Sequence, residues 1–134
     1  MEEGNSRRIR VLLVDDDRDV ADSMAEVLRL LDYEVRVVYG GEEALGVAGR
    51  FRPDVVILDV NMPGMDGLQA ARLLKKDRRL RSTPFIAHTA ADEPLVRRVA
   101  AEIGFRRMVI KGSQALTHTL DALLEIPEER RSDR

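Results

Sequence analysis

Short apolar runs of strand length alternate along the chain with segments whose apolar residues recur three or four positions apart. The strand-like runs cover residues 9–14, 33–39, 54–59, 85–89 and 108–110. Helical spacing follows each run, over residues 20–31, 42–48, 68–74, 95–103 and 116–124. Apolar and polar residues alternate in the second run, which predicts a strand near a sheet edge. The third run is nearly all apolar, which predicts a strand buried on both faces. Strands alternating with helices predict an α/β fold with a doubly wound, five-stranded parallel sheet.

Composition and charge exclude several classes of protein. The 134 residues fit one domain, and a hydrophobic content of 44% excludes wholesale disorder. The chain has no cysteine, which excludes disulfide scaffolds and thiolate metal sites and suits the cytoplasm. A net charge of −2 gives no basic field for nucleic acid, and no apolar run is long enough to cross a membrane. We therefore expect a cytoplasmic protein that binds neither nucleic acid directly nor a membrane.

Side chains able to do chemistry follow four of the predicted strands. These residues are Asp15 and Asp16 after the first strand, Asp59 at the end of the third, Thr89 at the end of the fourth and Lys111 after the fifth. In a parallel sheet such ends share one edge, where ligands bind near a switch in strand order. Crowded carboxylates favour a hard divalent cation such as Mg²⁺, and one of them can then attack phosphorus. Lysine and threonine would hold the charge that develops, so the set predicts a metal-assisted phosphoryl acceptor.

Four segments resemble, in the expected order, the motifs of the receiver domain of two-component response regulators. They are LLVDDD at residues 12–17, VVILDVNMPGMDG at 55–67, FIAHTA at 85–90 and VIK at 109–111. The second segment is the most specific, and the likeness covers about residues 8–126. It implies a flavodoxin-like (βα)5 receiver domain over residues 8–126, between an N-terminal extension at 1–7 and a charged C-terminal tail at 127–134.

The resemblance implies a metal site and a phosphorylation site that share one carboxylate. Asp59 matches the residue that accepts the phosphoryl group in this family. Asp15 and Asp16 match the acidic pair that holds Mg²⁺, or Mn²⁺, together with Asp59. Asn61 matches the residue whose backbone carbonyl also binds the metal.

The resemblance also implies partners and a mode of action. Thr89 and Lys111 match the hydroxyl and ammonium groups that contact the phosphoryl group. The donor would be a phosphohistidine of a sensor histidine kinase or a phosphotransfer domain, and an unidentified downstream protein would respond to the change. Such a domain is not a conventional enzyme, because it catalyses only its own phosphorylation and dephosphorylation. The fourth helix, fifth strand and fifth helix form the usual output face of the family and would also serve a homodimer.

Two positions depart from the family pattern. Gly112 stands where proline usually follows the lysine, often through a cis peptide bond. A cis bond to a non-proline residue costs about 2.5–4 kcal/mol, so we predict a trans Lys111–Gly112 bond or a mobile loop. Met108 replaces the Tyr or Phe that usually moves with the threonine, so we expect the chemistry at Asp59 to survive and the output face to respond atypically. The alternative is a degenerate receiver that acts as a phosphorylation-independent interaction module.

Other interpretations of the acidic residues fit less well. A calcium-binding loop beginning at Asp59 would place Pro63 at its fifth position and Ala70 at its twelfth, where a glutamate is required. A haloacid-dehalogenase-like phosphatase would use the acids at 15–17, but the chain has no room for the usual cap domain of that class. Few residues follow the last helix, so we expect either a stand-alone receiver or a fragment of a larger regulator or hybrid kinase.

The remaining polar residues are predicted to have structural roles. Asp17 should cap the first helix rather than bind metal. His88 should be a packed strand residue, and His118 should be solvated. The basic run at residues 75–81 lacks interleaved aromatic residues, which favours a solvated helix end over a nucleic-acid site.

Overall fold

A computed structural model describes residues 7–127 of the chain. In this part the strands are β1 (Arg10–Val14), β2 (Glu34–Val38), β3 (Val55–Asp59), β4 (Phe85–Thr89) and β5 (Phe105–Ile110). The helices are α1 (Arg18–Leu30), α2 (Gly41–Phe51), α3 (Gly67–Leu74), α4 (Pro94–Ile103) and α5 (Ala115–Leu124), with a 3₁₀ turn at Arg78–Leu80 between α3 and β4. The predicted alternation of strands and helices is confirmed.

The strands form one sheet in the order β2-β1-β3-β4-β5. Every neighbouring pair is parallel, which confirms the predicted doubly wound, flavodoxin-like α/β fold. After β1 the chain moves outward to β2, and it then returns to β3 and continues to the other edge. The connections leaving β1 and β3 therefore diverge, and they open a crevice at the carboxyl ends of these two strands.

The core consists of two apolar layers, one on each face of the sheet. Successive side chains on a strand point to opposite faces, so Leu12 and Leu58 belong to one layer while Leu13 and Ile57 belong to the other. Helices α2 and α3 cover the first layer, and α1 and α5 cover the second. All five residues of β3 are buried, which confirms its predicted central position.

The two edge strands differ in how well the sequence pattern defines them. The alternating strand β2 lies at one edge, as predicted. At the other edge, β5 begins at Phe105, three residues earlier than the predicted strand. Its first half contains the two arginines at 106–107, which interrupt the apolar run, and the Phe105 ring packs edge-to-face on Phe85 at 5.9 Å. This contact joins two residues that are far apart in the sequence, so no local pattern predicts that β5 begins at Phe105.

Two helix-end residues have conformations that suit their residue types, and one of them, Asp17, was predicted as a cap. Asp17 precedes α1, and its side chain accepts a hydrogen bond of 3.2 Å from the backbone N–H of Val20. This bond satisfies one of the free N–H groups of the first turn. Gly104 ends α4 with φ of 112°, a left-handed conformation that glycine adopts without steric cost.

The Lys111–Gly112 bond is trans, as predicted, because no cis peptide bond occurs within residues 7–127. Gly112 has φ of 147°, a value that L-residues with side chains rarely adopt. Apart from residues 7 and 127, the predicted N-terminal extension and C-terminal tail lie outside the described part of the chain. None of the helices in residues 7–127 is long and apolar enough to span a membrane.

Candidate functional site

The crevice at the carboxyl ends of the strands brings together an ammonium group and two buried carboxylates. Lys111 Nζ donates a hydrogen bond to Asp59 Oδ2 at 2.9 Å and lies 3.1 Å from Asp15 Oδ2. Asp15 and Asp59 are only 1% and 2% exposed. The ends of β1, β3 and β5 therefore converge on one point, as the sequence predicted.

Backbone hydrogen bonds beyond the strands hold these residues in place. The N–H of Asp15 donates to the Val38 carbonyl of β2 at 3.2 Å, and the N–H of Lys111 donates to the Thr89 carbonyl of β4 at 2.8 Å. Each bond continues a parallel ladder by one step past the end of its strand. The backbone of Asp15 and of Lys111 is therefore anchored to the edge of the sheet.

The two buried carboxylates have matching environments. In each, Oδ2 faces the Lys111 ammonium and Oδ1 accepts a hydrogen bond of 2.9 Å from the backbone N–H two residues later, which belongs to Asp17 or to Asn61. Hydrogen bonds to a charged acceptor are shorter and stronger than those between neutral groups. The arrangement fixes the orientation of both carboxylates before any ligand binds.

Asp16 completes a cluster of three carboxylates. One oxygen from each of Asp15, Asp16 and Asp59 lies within 4.8 Å of the others, and the Asp16 side chain is exposed to solvent. A single ammonium cannot balance three negative charges held this close, and burial increases their mutual repulsion. Oxygen ligands at this spacing fit a hard divalent cation such as Mg²⁺, which keeps several of its own waters.

Burial and charge act in opposite directions on the pKa values at this site. Burial raises the pKa of Asp59 to about 6, although the hydrogen bonds from Lys111 and the Asn61 N–H oppose the shift. Burial alone would lower the pKa of Lys111, but the carboxylates of Asp59 and Asp15 outweigh it and the pKa is raised. At neutral pH both groups are therefore mainly charged.

Asp59 is also positioned by a close backbone contact at Gly67, the first residue of α3. A Cβ atom added at Gly67 would lie 2.2 Å from the Asp59 carbonyl oxygen, a distance that real Cβ atoms essentially never show. The Gly67 N–H donates to the Val60 carbonyl at 3.3 Å. Only glycine allows α3 to begin this close to the end of β3. No pattern in the sequence indicated this contact.

Thr89 and Asn61 meet on the other side of the crevice. Thr89 is 2% exposed, and its hydroxyl lies within hydrogen-bond distance of Asn61 Oδ1 at 3.3 Å and of the Ala91 carbonyl at 3.1 Å. The N–H of Ala90 donates to the same Asn61 Oδ1 at 3.0 Å. The sequence singled out Asn61 for its backbone carbonyl, and it did not indicate these side-chain contacts.

Comparison with known protein families agrees with this geometry. The family model described as "Response regulator receiver domain" matches residues 11–121 of the chain. The chain belongs to this family. Its receiver fold and the acidic cluster at the ends of β1 and β3 are those that the sequence resemblance implied.

Curated relatives of this receiver domain are longer proteins. Response regulator MprA of Mycolicibacterium vanbaalenii is 42% identical over 88 residues, which cover 63% of this chain and 36% of the relative. Transcriptional regulatory protein PrrA of Mycobacterium tuberculosis is 47% identical over 66 residues, which cover 49% of this chain and 28% of the relative. The chain thus spans about a third of the length of the curated relatives that it matches.

Solved structures match the receiver domain over nearly its whole length. The chemotaxis protein CheY4 of Vibrio cholerae has a TM-score of 0.84 and 28% identity, over 90% of this chain and 99% of that one. A putative response regulator from Chloroflexus aurantiacus has a TM-score of 0.77 and 31% identity, over 88% of this chain and 98% of that one.

The other polar residues of the receiver domain have the structural roles that the sequence predicted. Asp17 caps α1 and is not part of the carboxylate cluster. His88 is buried on β4, with Nε2 2.9 Å from the Thr119 hydroxyl of α5, and His118 is exposed. Met108 is partly buried on β5 and pairs with Ala87 of β4 in the sheet register.

The basic run at 75–81 is held against the domain by several contacts. Lys75 Nζ donates to the Thr83 carbonyl at 2.8 Å and lies 4.3 Å from the centre of the Phe85 ring. Arg79 pairs with Asp77 at 2.8 Å and also donates to the Gly49 carbonyl at 3.1 Å. These contacts give two of the basic side chains structural roles, in line with the predicted helix end.

Proposed function

We propose that this receiver domain accepts a phosphoryl group on Asp59, in a reaction that requires Mg²⁺ or Mn²⁺. The proposal rests mainly on one observation: Lys111 Nζ lies 2.9 Å from Asp59 Oδ2 and 3.1 Å from Asp15 Oδ2, beside the exposed Asp16. A buried carboxylate held by one ammonium and flanked by two acids has little structural purpose, since burying unpaired charge is costly. The arrangement is suited to a nucleophile that works beside a cation.

The donor set fits a divalent cation. Carboxylate oxygens of Asp15, Asp16 and Asp59 would hold it, together with the backbone carbonyl of Asn61. When bound, the cation would offset the repulsion between the acids and between them and an incoming phosphate.

The transfer itself uses groups of this chain. A carboxylate oxygen of Asp59 forms a bond to phosphorus while the P–N bond of a phosphohistidine breaks, and the imidazole leaves with the electron pair. Lys111 and Thr89 donate hydrogen bonds to the phosphoryl oxygens, on which charge is spread in the transition state. The raised pKa of Asp59, about 6, still leaves its carboxylate mainly ionised at neutral pH.

The phosphorylated domain would act through other proteins. A sensor histidine kinase or a phosphotransfer domain supplies the phosphoryl group, and a downstream protein recognises the conformation that phosphorylation favours. The face formed by α4, β5 and α5 is the candidate output surface and the candidate homodimer surface. Met108 on β5 replaces the usual aromatic residue there, so the response of this face to phosphorylation should differ from that of most receivers.

Phosphorylation can be tested by incubating the chain with acetyl phosphate and Mg²⁺ and measuring its intact mass. We expect the gain of one phosphoryl group, absent without the metal and absent in Asp59→Asn. Asp19→Asn is the matched control, because Asp19 is an exposed acid in the first turn of α1 and should label normally. Absence of labelling in the unaltered chain would support a degenerate interaction module instead, and rapid release of phosphate from monoesters would support a phosphatase.

A further inference from the structure

The Asn61 side chain connects the two loops that flank the phosphorylation site. Its backbone N–H donates to Asp59 Oδ1 at 2.9 Å, so the residue lies beside the proposed nucleophile. Its Oδ1 accepts a hydrogen bond of 3.0 Å from the N–H of Ala90 and lies 3.3 Å from the hydroxyl of Thr89. We call these contacts of Oδ1 the Asn61 bridge.

The bridge occupies the hydrogen-bond donors that a phosphoryl group would need. Thr89 and Ala90 come at the end of β4, and both present a donor to the same oxygen. The Thr89 hydroxyl has one proton, which it can give either to Asn61 or to the Ala91 carbonyl at 3.1 Å. The Ala90 N–H has Asn61 Oδ1 as its acceptor. In the unphosphorylated domain the amide oxygen of Asn61 therefore occupies the two donors with which an anionic oxygen attached to Asp59 would form hydrogen bonds.

The bridge does not serve the packing of the domain. Asn61 is exposed, in contrast to Thr89 and Asp59, which are buried. The carboxamide therefore lies on the open side of the crevice, where it can leave without disturbing the core. The backbone groups of Asn61 would stay in place when its side chain turns away.

We propose that Asn61 is a positioning residue that competes with the phosphoryl group for Thr89 and Ala90. Its amide oxygen holds the end of β4 in the unphosphorylated arrangement, and it releases both donors when oxygens attached to Asp59 take them. This inference rests on the proposed function of Asp59 and adds a reason why the unmodified state is favoured. Loss of the amide oxygen should leave the donors exposed to water and easier to capture.

The competition can be measured with beryllofluoride, which binds to a carboxylate as a tetrahedral anion and resembles a phosphoryl group. Titration of the full chain with beryllofluoride in saturating Mg²⁺ should give a dissociation constant about fivefold lower for Asn61→Ala than for the unaltered chain. That factor corresponds to the net free energy of about one hydrogen bond, ~1 kcal/mol. Gln69→Ala is the matched control, since it removes the same carboxamide group from an exposed position on α3.

A second measurement separates competition from a general structural effect. Amide hydrogen exchange at Ala90 should be faster in Asn61→Ala than in the unaltered chain when beryllofluoride is absent. The two proteins should exchange at the same rate when it is bound, because the anion has then replaced the bridge in both. A defect in folding would instead change exchange in both states.

The outcomes distinguish this inference from the proposed function. Equal or weaker beryllofluoride binding by Asn61→Ala, with normal binding by the unaltered chain, overturns the competition and leaves the role of Asp59 intact. Binding by Asn61→Ala alone would mean that the bridge closes the site completely, and would support the inference strongly. If the unaltered chain, Asn61→Ala and Gln69→Ala all fail to bind beryllofluoride, the proposed function and the competition are both overturned.

Discussion

Gly67 shows how strongly one residue can constrain the site. Helix α3 begins so close to β3 that a Cβ at this position would lie 2.2 Å from the Asp59 carbonyl oxygen and 3.0 Å from the Cα of Val60. Both contacts are with backbone atoms, which cannot rotate away as a flexible side chain can. Any side chain at Gly67 must therefore displace either the helix or the proposed nucleophile.

Gly67→Ala should lower the free energy of unfolding by about 1–3 kcal/mol, the usual cost of forcing an extra methyl group into a packed region. Urea denaturation followed by circular dichroism measures this change. Gly46→Ala is the matched control, because a Cβ at this α2 position meets no atom within 4 Å. There the greater helix propensity of alanine should raise stability by about 0.5–1 kcal/mol. Equal effects of the two substitutions would show that the contact at Gly67 relaxes freely.

The sequence predicted the positions of site residues that lie at strand ends. It did not predict the positions of residues that depend on tertiary contacts. Asp15, Asp59 and Lys111 were predicted to converge because the carboxyl ends of parallel strands share one edge of a sheet. The close approach at Gly67 and the direction of the Asn61 side chain depend on how α3 and the end of β4 pack. No periodicity or spacing in the chain records that packing.

At the scale of elements, His88 joins the sheet to α5. Its Nε2 lies 2.9 Å from the Thr119 hydroxyl, and both residues are buried. Burial lowers the pKa of His88 to about 4, with a smaller contribution from the positive charge of Lys111 and an opposing one from Asp15. The ring is therefore neutral at physiological pH. The junction between β4 and α5 depends on this neutral form.

This junction should make stability depend on pH. The pKa of His88 is about 4 in the folded chain and 6.5 as the ordinary value, so between these limits the unfolded chain binds a proton that the folded chain does not. The neutral His88 ring therefore makes its full contribution to the free energy of unfolding above pH 6.5. This contribution is lost as the pH falls toward 4, and the total loss is about 3 kcal/mol. Urea denaturation at several pH values should show a shallower loss in His88→Gln than in the unaltered chain.

His118→Gln is the control for that series, because His118 lies exposed on α5 and its replacement leaves the His88–Thr119 contact intact. An identical dependence in His88→Gln and the unaltered chain would mean that His88 takes up its proton equally well in the folded state. In that case the loss of stability in acid would have to come from the carboxylates alone.

Strand boundaries were predictable where apolar residues fill a strand, as in β3, or alternate along it, as in β2. The β3 prediction agreed closely because all five of its residues are buried. The β5 prediction missed the first half of the strand, which lies at a sheet edge, contains two arginines and has a register irregularity opposite Phe85 and Ile86. In β5 the two arginines interrupt the apolar pattern, because solvent at this edge accepts polar side chains, so hydrophobicity does not mark where the strand begins.

For the whole molecule, strand order sets the balance of charge in the crevice. The order β2-β1-β3-β4-β5 places β1 beside β3, which brings the three clustered carboxylates together opposite the single ammonium of Lys111. The unfolded chain spreads these acids apart and has no such cluster. A cation that binds the cluster therefore binds the folded state alone, and it must raise the stability of the entire domain.

Mg²⁺ should raise the melting temperature of the chain. At about 100 times its dissociation constant, a ligand specific to the folded state contributes about 2.7 kcal/mol, or on the order of 10 °C for a domain of this size. Asp16→Asn should lose most of this rise, because it removes an exposed ligand without disturbing the buried acids. Differential scanning calorimetry with and without Mg²⁺ measures the rise in melting temperature. Asp19→Asn is the control, because it replaces an exposed acid of α1 and should show the same rise as the unaltered chain. A rise of the same size in Asp16→Asn would place the cation elsewhere.

The backbone at Gly112 also limits which residues can follow Lys111. Its φ of 147° is far from the value of about −65° that the proline ring imposes. Replacement by proline would therefore force the chain to turn differently directly beside Lys111. The path of this loop and the identity of residue 112 are therefore tied together, so that neither can change without the other.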